Sequence, residues 1–440
     1  MKLQAIFFVA SALSTVVSAL NGKVDTLHNP NYNPHGPSIY LKALLKYGGE
    51  PFGRHPGALS LEQLIPHVQR QRYTRRYRAF LASNSTRDGF DPNLAEVDEI
   101  YVTPTTIGEG DTAQTLNLLY DTGSSDLWVF SILLPASETG DHNHTLYKAG
   151  ETPTSKLVPG SEWAIMYLDG SGASGLVYTD TVDFGGLKIK KAVVEAANQT
   201  TSEFLQLRVD GLVGLALQPD TVVPTSLTTT TQQIATDRSV FEQPVFTTLL
   251  TRENEGPGFF TFGYINDSVV PDGNITYTDV LQSQDLPDVG AWTFSSSFAI
   301  LNGKRFDRKG ATAVCDTGTS VILTDTDILE AIYADIPGAN FNQVEQAWVY
   351  PANTTKFPNV VFPVGDTQIT LQDPSDFNVG PADDQPNVLI GSIQDNGGIG
   401  FDIFGVPWIN NVYVVFDLGL TGANNTRLGV VQRKPSPLRS

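Results

Sequence analysis

One cysteine, Cys315, stands in 440 residues, so no internal disulfide can form and the fold must rest on its core. Charge is sparse: 17% of residues are Asp, Glu, Lys or Arg, against 40% hydrophobic. Disordered chains show the opposite balance. Basic residues are the scarcer sign, 28 Lys and Arg against 47 Asp and Glu, for a net charge of −19. No nucleic-acid partner is expected of so acidic a chain. Beyond the N-terminus no stretch is apolar enough to cross a bilayer, which takes about 20 such residues in a helix, so no membrane partner is expected. H-E-x-x-H and G-x-S-x-G are both missing, which leaves zinc and serine hydrolase readings without their motifs. His142-Asn-His144 could be half a metal site, but it overlaps a glycosylation triplet and no further ligands follow it. No metal and no cofactor are expected.

Turn formers and aromatics are plentiful: 39 Gly, 27 Pro, 23 Phe and 15 Tyr. With Val, Thr and Ile dominating the apolar runs, the fold class should be mostly β. Residues 1–19 combine a positive start, a short apolar run and a small-residue end at Ser18-Ala19, which fits a secretory signal peptide. A membrane anchor is the weaker reading, because Ser and Thr break that run. Seven N-x-[ST] triplets, at Asn84, Asn143, Asn198, Asn266, Asn274, Asn353 and Asn424, are glycosylation candidates consistent with secretion.

Charge is divided along the chain. Residues 20–88 carry ten Lys and Arg against four Asp and Glu, whereas residues 89–440 carry 17 against 43. A basic cluster, "RQRYTRRYR", occupies Arg70–Arg78. A nucleic-acid arm is one reading of it. A cationic pro-segment over residues 20–88, held on an anionic body and loosened by acid, is the better one. "LASNSTRDGFDPN" then reads as a linker.

"YLDGSGASGLVY", Tyr167 to Tyr178, contains the G-x-G-x-x-G string of dinucleotide-binding loops. That string needs a strand before it and a helix after it. Here "WAIMY" precedes it, and the alternating "LVYTDTVDF" that follows favours a second strand. Asp169-Gly170 between them fits a β-hairpin with a glycine-rich tip.

The strongest signal is an internal repeat. "NLLYDTGSSDLWV" carries Asp121-Thr122-Gly123-Ser124 and "TAVCDTGTSVILT" carries Asp316-Thr317-Gly318-Thr319. Apolar pairs precede Gly214 and Gly405, which lie 93 and 89 residues after the respective aspartates. Two carboxylates presented on such turns at a shared cleft share a proton. One then serves as base toward a water and the other as acid toward a carbonyl oxygen. Ser124 and Thr319 can donate to the outer carboxylate oxygens. A glycosidase also uses two carboxylates but does not need matched Asp-Thr-Gly loops. Cys315, beside Asp316, reads as a buried small hydrophobe rather than a reactive thiol.

"DTGSSDLWVFS", "DTGTSVILT", "WAIMYLDGSGASG", "DGLVGLAL", "FTFGYINDS" and "FDIFGVPWINNVYVVFD" together resemble the pepsin-like aspartic endopeptidases, most closely the secreted enzymes of filamentous fungi. The resemblance covers nearly the whole chain after the signal, and "IYLKALLKYGG" resembles the pro-peptides of that group. It implies a two-lobed fold with a deep cleft, an N-terminal lobe with a flap over 89–275 and a C-terminal lobe over 276–440. Asp121 and Asp316 would be catalytic, supported by Thr122, Gly123, Ser124, Thr317, Gly318 and Thr319. Tyr167, Asp169 and Ser171 would be flap residues touching substrate, with Trp128 the partner of Tyr167. Phe204 and Leu212 would line the pocket for the residue before the scissile bond. Lys46, beside Tyr47, would block the cleft in a zymogen, although "RRYR" offers a rival basic-aromatic pair. The implied protein is a monomer that cleaves between large apolar residues of protein and peptide substrates at acid pH. A non-catalytic peptide-binding protein on the same scaffold is the alternative. Two positions depart from the pattern: Leu168 where glycine is usual, and Val406 where an aspartate follows the downstream glycine.

Overall fold

The structure, a computed structural model, describes residues 22–30, 32–47, 60, 62–68, 101–139, 144–166, 172–201, 205, 209–270, 273–281, 290–365, 367–383, 385–419 and 426–433. The signal segment, the basic cluster Arg70–Arg78 and the linker lie outside these residues.

The fold is mostly β, as expected. In the first half the strands are β1 (Gly22–His28), β2 (Tyr101–Ile107), β3 (Gln114–Asp121), β4 (Leu127–Phe130), β5 (Lys156–Met166), β6 (Gly172–Phe184), β7 (Leu187–Thr200), β8 (Gly211–Gly214), β9 (Val245–Leu249) and β10 (Gly258–Phe262). The second half continues with β11 (Thr276–Asp279), β12 (Thr293–Ser295), β13 (Phe298–Leu301), β14 (Lys304–Asp307), β15 (Thr312–Cys315), β16 (Ile322–Thr324), β17 (Asn340–Asn342) and β18 (Ala347–Pro351). It closes with β19 (Val360–Val364), β20 (Thr367–Thr370), β21 (Asn378–Ala382), β22 (Gln385–Gly391), β23 (Ile393–Asp395), β24 (Asp402–Phe404), β25 (Val412–Asp417) and β26 (Arg427–Gln432).

The two halves repeat one topology. In the first, β3 runs parallel to β8, β8 antiparallel to β4, and β4 parallel to β7. In the second, β15 runs parallel to β24, β24 antiparallel to β16, and β16 parallel to β23. The duplicated motif in the sequence is therefore a duplicated fold, each copy ending its first strand at an Asp-Thr-Gly loop. A 13-stranded sheet joins the halves, because β25 and β26 from the C-terminus pair onto β9 and onward through β10. Its base is aromatic: Phe246 stacks on Phe416 at 4.5 Å between ring centroids, and Trp292 meets both edge-on. Such offset and edge contacts suit the ring quadrupoles.

The N-terminal segment is built into this frame. In β1 buried Val24 and Thr26 alternate with exposed Lys23 and Asp25, the two-residue period of a half-covered strand. It fills a place between β10 and β2, with Val24 opposite Phe260 and His28 opposite Tyr101. Helix α1 (Gly36–Lys46) follows, its first turn capped by the His35 ring accepting from the Ser38 N–H, with Pro37 in the first turn. Tyr40, Leu41, Leu44 and Leu45 of α1, with Leu64 and Val68 of the helix at 62–68, pack against Val349, Val379, Ile390 and Phe401. The described part of this segment is thus held largely by apolar burial rather than by charge.

The glycine-rich string is a hairpin. β5 and β6 pair antiparallel, with Trp163 opposite Gly175 and Met166 opposite Gly172, and no helix follows. A Cβ on Gly175 would lie 2.0 Å from the Ala196 carbonyl oxygen, so this glycine serves close approach to β7.

Candidate active site

Register places the first aspartate. Tyr120 lies opposite Val213 and Asp121 opposite Gly214 at the end of the parallel β3–β8 pair. The chain then folds back across Gly214, whose N–H donates to the Asp126 carbonyl while the Leu215 N–H donates to that of Asp121. A Cβ on Gly214 would meet the Asp126 nitrogen at 2.4 Å. The second half does the same. Cys315 lies opposite Phe404, the Asp316 N–H donates to the Phe404 carbonyl, and a Cβ on Gly405 would meet the Thr319 carbonyl oxygen at 2.2 Å. The matched downstream glycines exist because only a missing side chain lets the aspartate loop cross there.

Across the repeat the two loops close on each other. The Thr122 N–H donates to Thr317 Oγ1 and the Thr317 N–H to Thr122 Oγ1, both at 3.0 Å. Each hydroxyl in turn donates across to the opposite strand, Thr122 to the Cys315 carbonyl and Thr317 to that of Tyr120. The carboxylates face one another inside this cross. Gly123 N–H donates to Asp121 Oδ1 and Gly318 N–H to Asp316 Oδ1, each at 2.8 Å. Ser124 Oγ donates to Asp121 Oδ2 at 2.5 Å and Thr319 Oγ1 to Asp316 Oδ2 at 2.6 Å. A side chain on Gly318 would lie 2.3 Å from Asp121 Oδ1, so the third residue of each triplet leaves room for the opposing carboxylate.

Both aspartates are buried, at 3% and 0% exposure. Burial, with the opposing Asp316 charge, pushes Asp121 above the ordinary carboxylate range in spite of the nearby Lys46 ammonium. Burial would raise Asp316 as well. The Lys46 ammonium and hydrogen bonds from Asp121, Thr319 and Lys46 outweigh it and hold Asp316 below that range. With Lys46 in place the two carboxyls are thus pushed in opposite directions.

Lys46, the last residue of α1, ends between them. Its Nζ donates to Asp121 Oδ1 at 2.7 Å and to Asp316 Oδ2 at 3.0 Å. The Tyr47 hydroxyl donates to Asp316 Oδ2 at 2.8 Å, and its ring meets Phe401 edge-on.

Among the other expected site residues, Trp128 is buried on β4, lying opposite Leu212 of β8 and stacked on Trp163 at 6.0 Å. Leu212 is half-buried in the same apolar cluster. Tyr167, Leu168, Asp169, Ser171 and Phe204 lie outside the described residues, as do Asn84, Asn143 and Asn424. Of the remaining triplets, Asn274 and Asn353 are exposed, whereas Asn198 and Asn266 are half-buried. Cys315 is fully buried, and burial next to Asp316 pushes its thiol well up, which suits an inert core residue. His144 is a core residue too, stacked on Phe130 at 4.2 Å with Nε2 on the Leu205 carbonyl. Val406 is buried and gives its N–H to the Thr319 carbonyl.

One feature near the site escaped the motif reading. Glu195, in the apolar run "AVVEAAN" of β7, is fully buried behind the first loop beside Asp126. A lone acid inside an apolar strand was the available signal, but its partner cannot be read from spacing.

The sequence model of the eukaryotic aspartyl protease family matches residues 100–429. Endothiapepsin of Cryphonectria parasitica is 34% identical over 410 residues, covering 92% of this chain and 89% of its own. An aspergillopepsin-1 of Aspergillus clavatus is 38% identical over 383 residues, 87% and 85% of the two chains. Penicillopepsin-1 of Penicillium janthinellum is 39% identical over 323 residues, 73% and 92% of the two chains. A duplicated fold, two interlocked Asp-Thr-Gly loops and similarity over most of its length place the chain in the eukaryotic aspartyl protease family, among the pepsin-like aspartic endopeptidases.

Proposed function

We propose that the chain is made as a secreted zymogen and, once processed, hydrolyses peptide bonds at acid pH through a water held by Asp121 and Asp316. Residues 1–19 are its signal, 20–88 its pro-segment, 89–275 the lobe with the flap and 276–440 the second lobe. The observation that carries this reading is the position of Lys46. An ammonium bonded to both carboxylates meets the dyad's need for a compensating charge and occupies the place a nucleophilic water would take. Tyr47 adds a hydroxyl to Asp316 and a ring against Phe401, so the helix end plugs the site by charge and by packing.

With Lys46 gone, one of the two aspartates is the base toward water and the other delivers a proton to the carbonyl oxygen. The donors from Gly123, Ser124, Gly318 and Thr319 hold both carboxyls in place. The wall that α1 covers, Val349, Val379, Ile390 and Phe401, is apolar and supports a preference for large apolar side chains. Tyr167, Asp169 and Ser171, in the segment that links β5 to β6 in sequence, are the residues that would close on substrate backbone, with Trp128 the partner of Tyr167. Phe204 and Leu212 would line the pocket on the N-terminal side of the scissile bond.

Digestion of a denatured protein between pH 3 and 6, with and without a statine-type peptide, tests the proposal. Cleavage that the peptide abolishes is expected. Tight binding of the peptide with no cleavage anywhere in that range would instead make this a peptide-binding scaffold.

A further inference from the structure

We propose that Glu195 keeps its proton and donates it to Asp126, the two forming a second, non-catalytic carboxyl pair that positions the Asp121 loop, so that losing the proton above acid pH slackens the loop and takes activity with it. Glu195 has 0% exposure, and among the described residues neither of its carboxyl oxygens receives an N–H or O–H donor. After burial itself, the strongest influence on it is the carboxyl of Asp126, which is 4% exposed. Two carboxyls can bond only if one of them carries a proton.

Asp126 is built into the loop at several points. Its Oδ1 accepts from the Thr221 N–H at 2.7 Å and from the Thr221 hydroxyl at 2.8 Å. Its carbonyl accepts from Gly214 at 2.8 Å, the glycine that faces Asp121 across β3 and β8. β7, which carries Glu195, pairs in parallel with β4, Glu195 lying opposite Trp128. Movement of Asp126 away from Glu195 would pull on the strand end that presents Asp121.

The charged groups acting on Glu195 are carboxyls on each neighbouring segment: Asp126 on the loop and Asp220 beside Thr221. Asp220 accepts from the Leu227 N–H, and burial pushes it up to about 6. No cation figures among them, and among the described residues no acidic or histidine group is arranged to hold a metal. A second ionisation would therefore place like charges together in a dry site, which is costly. Burial and Asp126 push the Glu195 carboxyl well up. The sign follows from linkage. A carboxyl that keeps its proton longer when folded contributes its stability fully below the unfolded value of about 4.3, and that contribution fades as pH rises toward the folded value.

Only the activity arm of the test rests on the peptidase reading above. Glu195→Gln and Asp126→Asn each put an amide donor where the shared proton lies, with nearly the same shape. Melting temperature of the purified precursor between pH 4 and 8 is the first measurement. The difference between variant and wild type should grow with pH, reaching about 3 °C or more in the variant's favour near pH 7.5. In the acid-converted enzyme, Glu195→Gln should stay within about threefold of wild-type kcat at pH 4, and its activity should fall off at higher pH than wild type. If melting differences are flat with pH for both variants, the shared proton is overturned. If they rise but the activity profiles coincide, the pair does not position the dyad. Should one variant fail to fold, the other carries the same two readouts. Cleavage absent in wild type would sink the peptidase reading while the melting arm still decides the pair.

Discussion

Behind the first Asp-Thr-Gly loop lie Asp126 and Glu195; behind the second, at the same places in the repeat, lie Val321 and Gln394. Asp126 and Val321 each stand five residues after the aspartate of their Asp-Thr-Gly triplet. Glu195 pairs with Trp128 and Gln394 with Leu323, each seven residues after it. Gln394 is fully served by backbone: its amide donates to the carbonyls of Trp348 and Gly391, and its oxygen accepts from the Trp348 N–H. The two Asp-Thr-Gly faces are nearly symmetric, while their foundations are not. One lobe rests on two buried carboxyls and the other on a neutral amide. Symmetry was kept where two loops must interlock, and each lobe's interior was free to differ.

The largest expected effect lies on the symmetric face. Asp121→Asn or Asp316→Asn should fold normally, since the swap is nearly isosteric, and each should lose activity by about a thousandfold or more. The comparison holds if the two losses agree within about tenfold in enzyme processed by an added protease. Either variant keeping more than about a tenth of wild-type turnover ends the dyad assignment.

Next comes the plug, which treats the two aspartates differently. Lys46 bonds to both, but Tyr47 bonds only to Asp316. Asp316 is held low, so its hold on the plug is present above the ordinary value of about 3.9 and is lost as pH falls through its folded value. Asp121 is raised and has the opposite sign, with its contribution fading as pH rises. Docking should be firmest with one proton on the pair, and release on acidification should follow Asp316. Lys46→Ala should move self-conversion to higher pH and speed it about tenfold at pH 5, as read by mass spectrometry of purified precursor. An unmoved window would show that the plug does not set the latch.

Gln394→Glu should give the smallest effect and would erase the difference between the lobes. It removes the donors to Trp348 and Gly391 and places an acid behind the second loop. Stability should fall by about 1–3 kcal/mol at pH 7 and recover in part at pH 4, where the carboxyl is protonated and can donate once. Denaturant midpoints at the two pH values measure it. An equal loss at both would mean that the site tolerates no charge-dependent choice.

Much of the site was legible because its signals are local. Asp-Thr-Gly describes one turn, and the residue types follow from what that turn must do: present a carboxylate, leave room for its opposite and donate from the next hydroxyl. The hairpin of β5 and β6 was legible for the same reason, from the strand-like "WAIMY" before Asp169-Gly170 and the alternating "LVYTDTVDF" after it. Strand β1 was not foreseen. Its seven residues alternate only in "KVDT", and their place between β10 and β2 depends on a sheet assembled from distant parts of the chain. The basic excess of residues 20–88 suggested charge as the glue. The described part of that segment packs through the apolar side of α1, with Lys46 placing one charge at the dyad, and the basic cluster Arg70–Arg78 lies outside the described residues.

By itself the sequence determined that two equivalent aspartates would be offered on glycine turns by two similar β units, because turn chemistry and repeat spacing act over a few residues. Only the tertiary structure decided which carboxyls meet. Asp121 faces Asp316, Asp126 faces Glu195, and Lys46 enters the first pair from a helix far away in the chain. Burial at those meetings raises the cost of charge far above its value in water, so whether a group is acid, base or shared proton is a property of the packed neighbourhood.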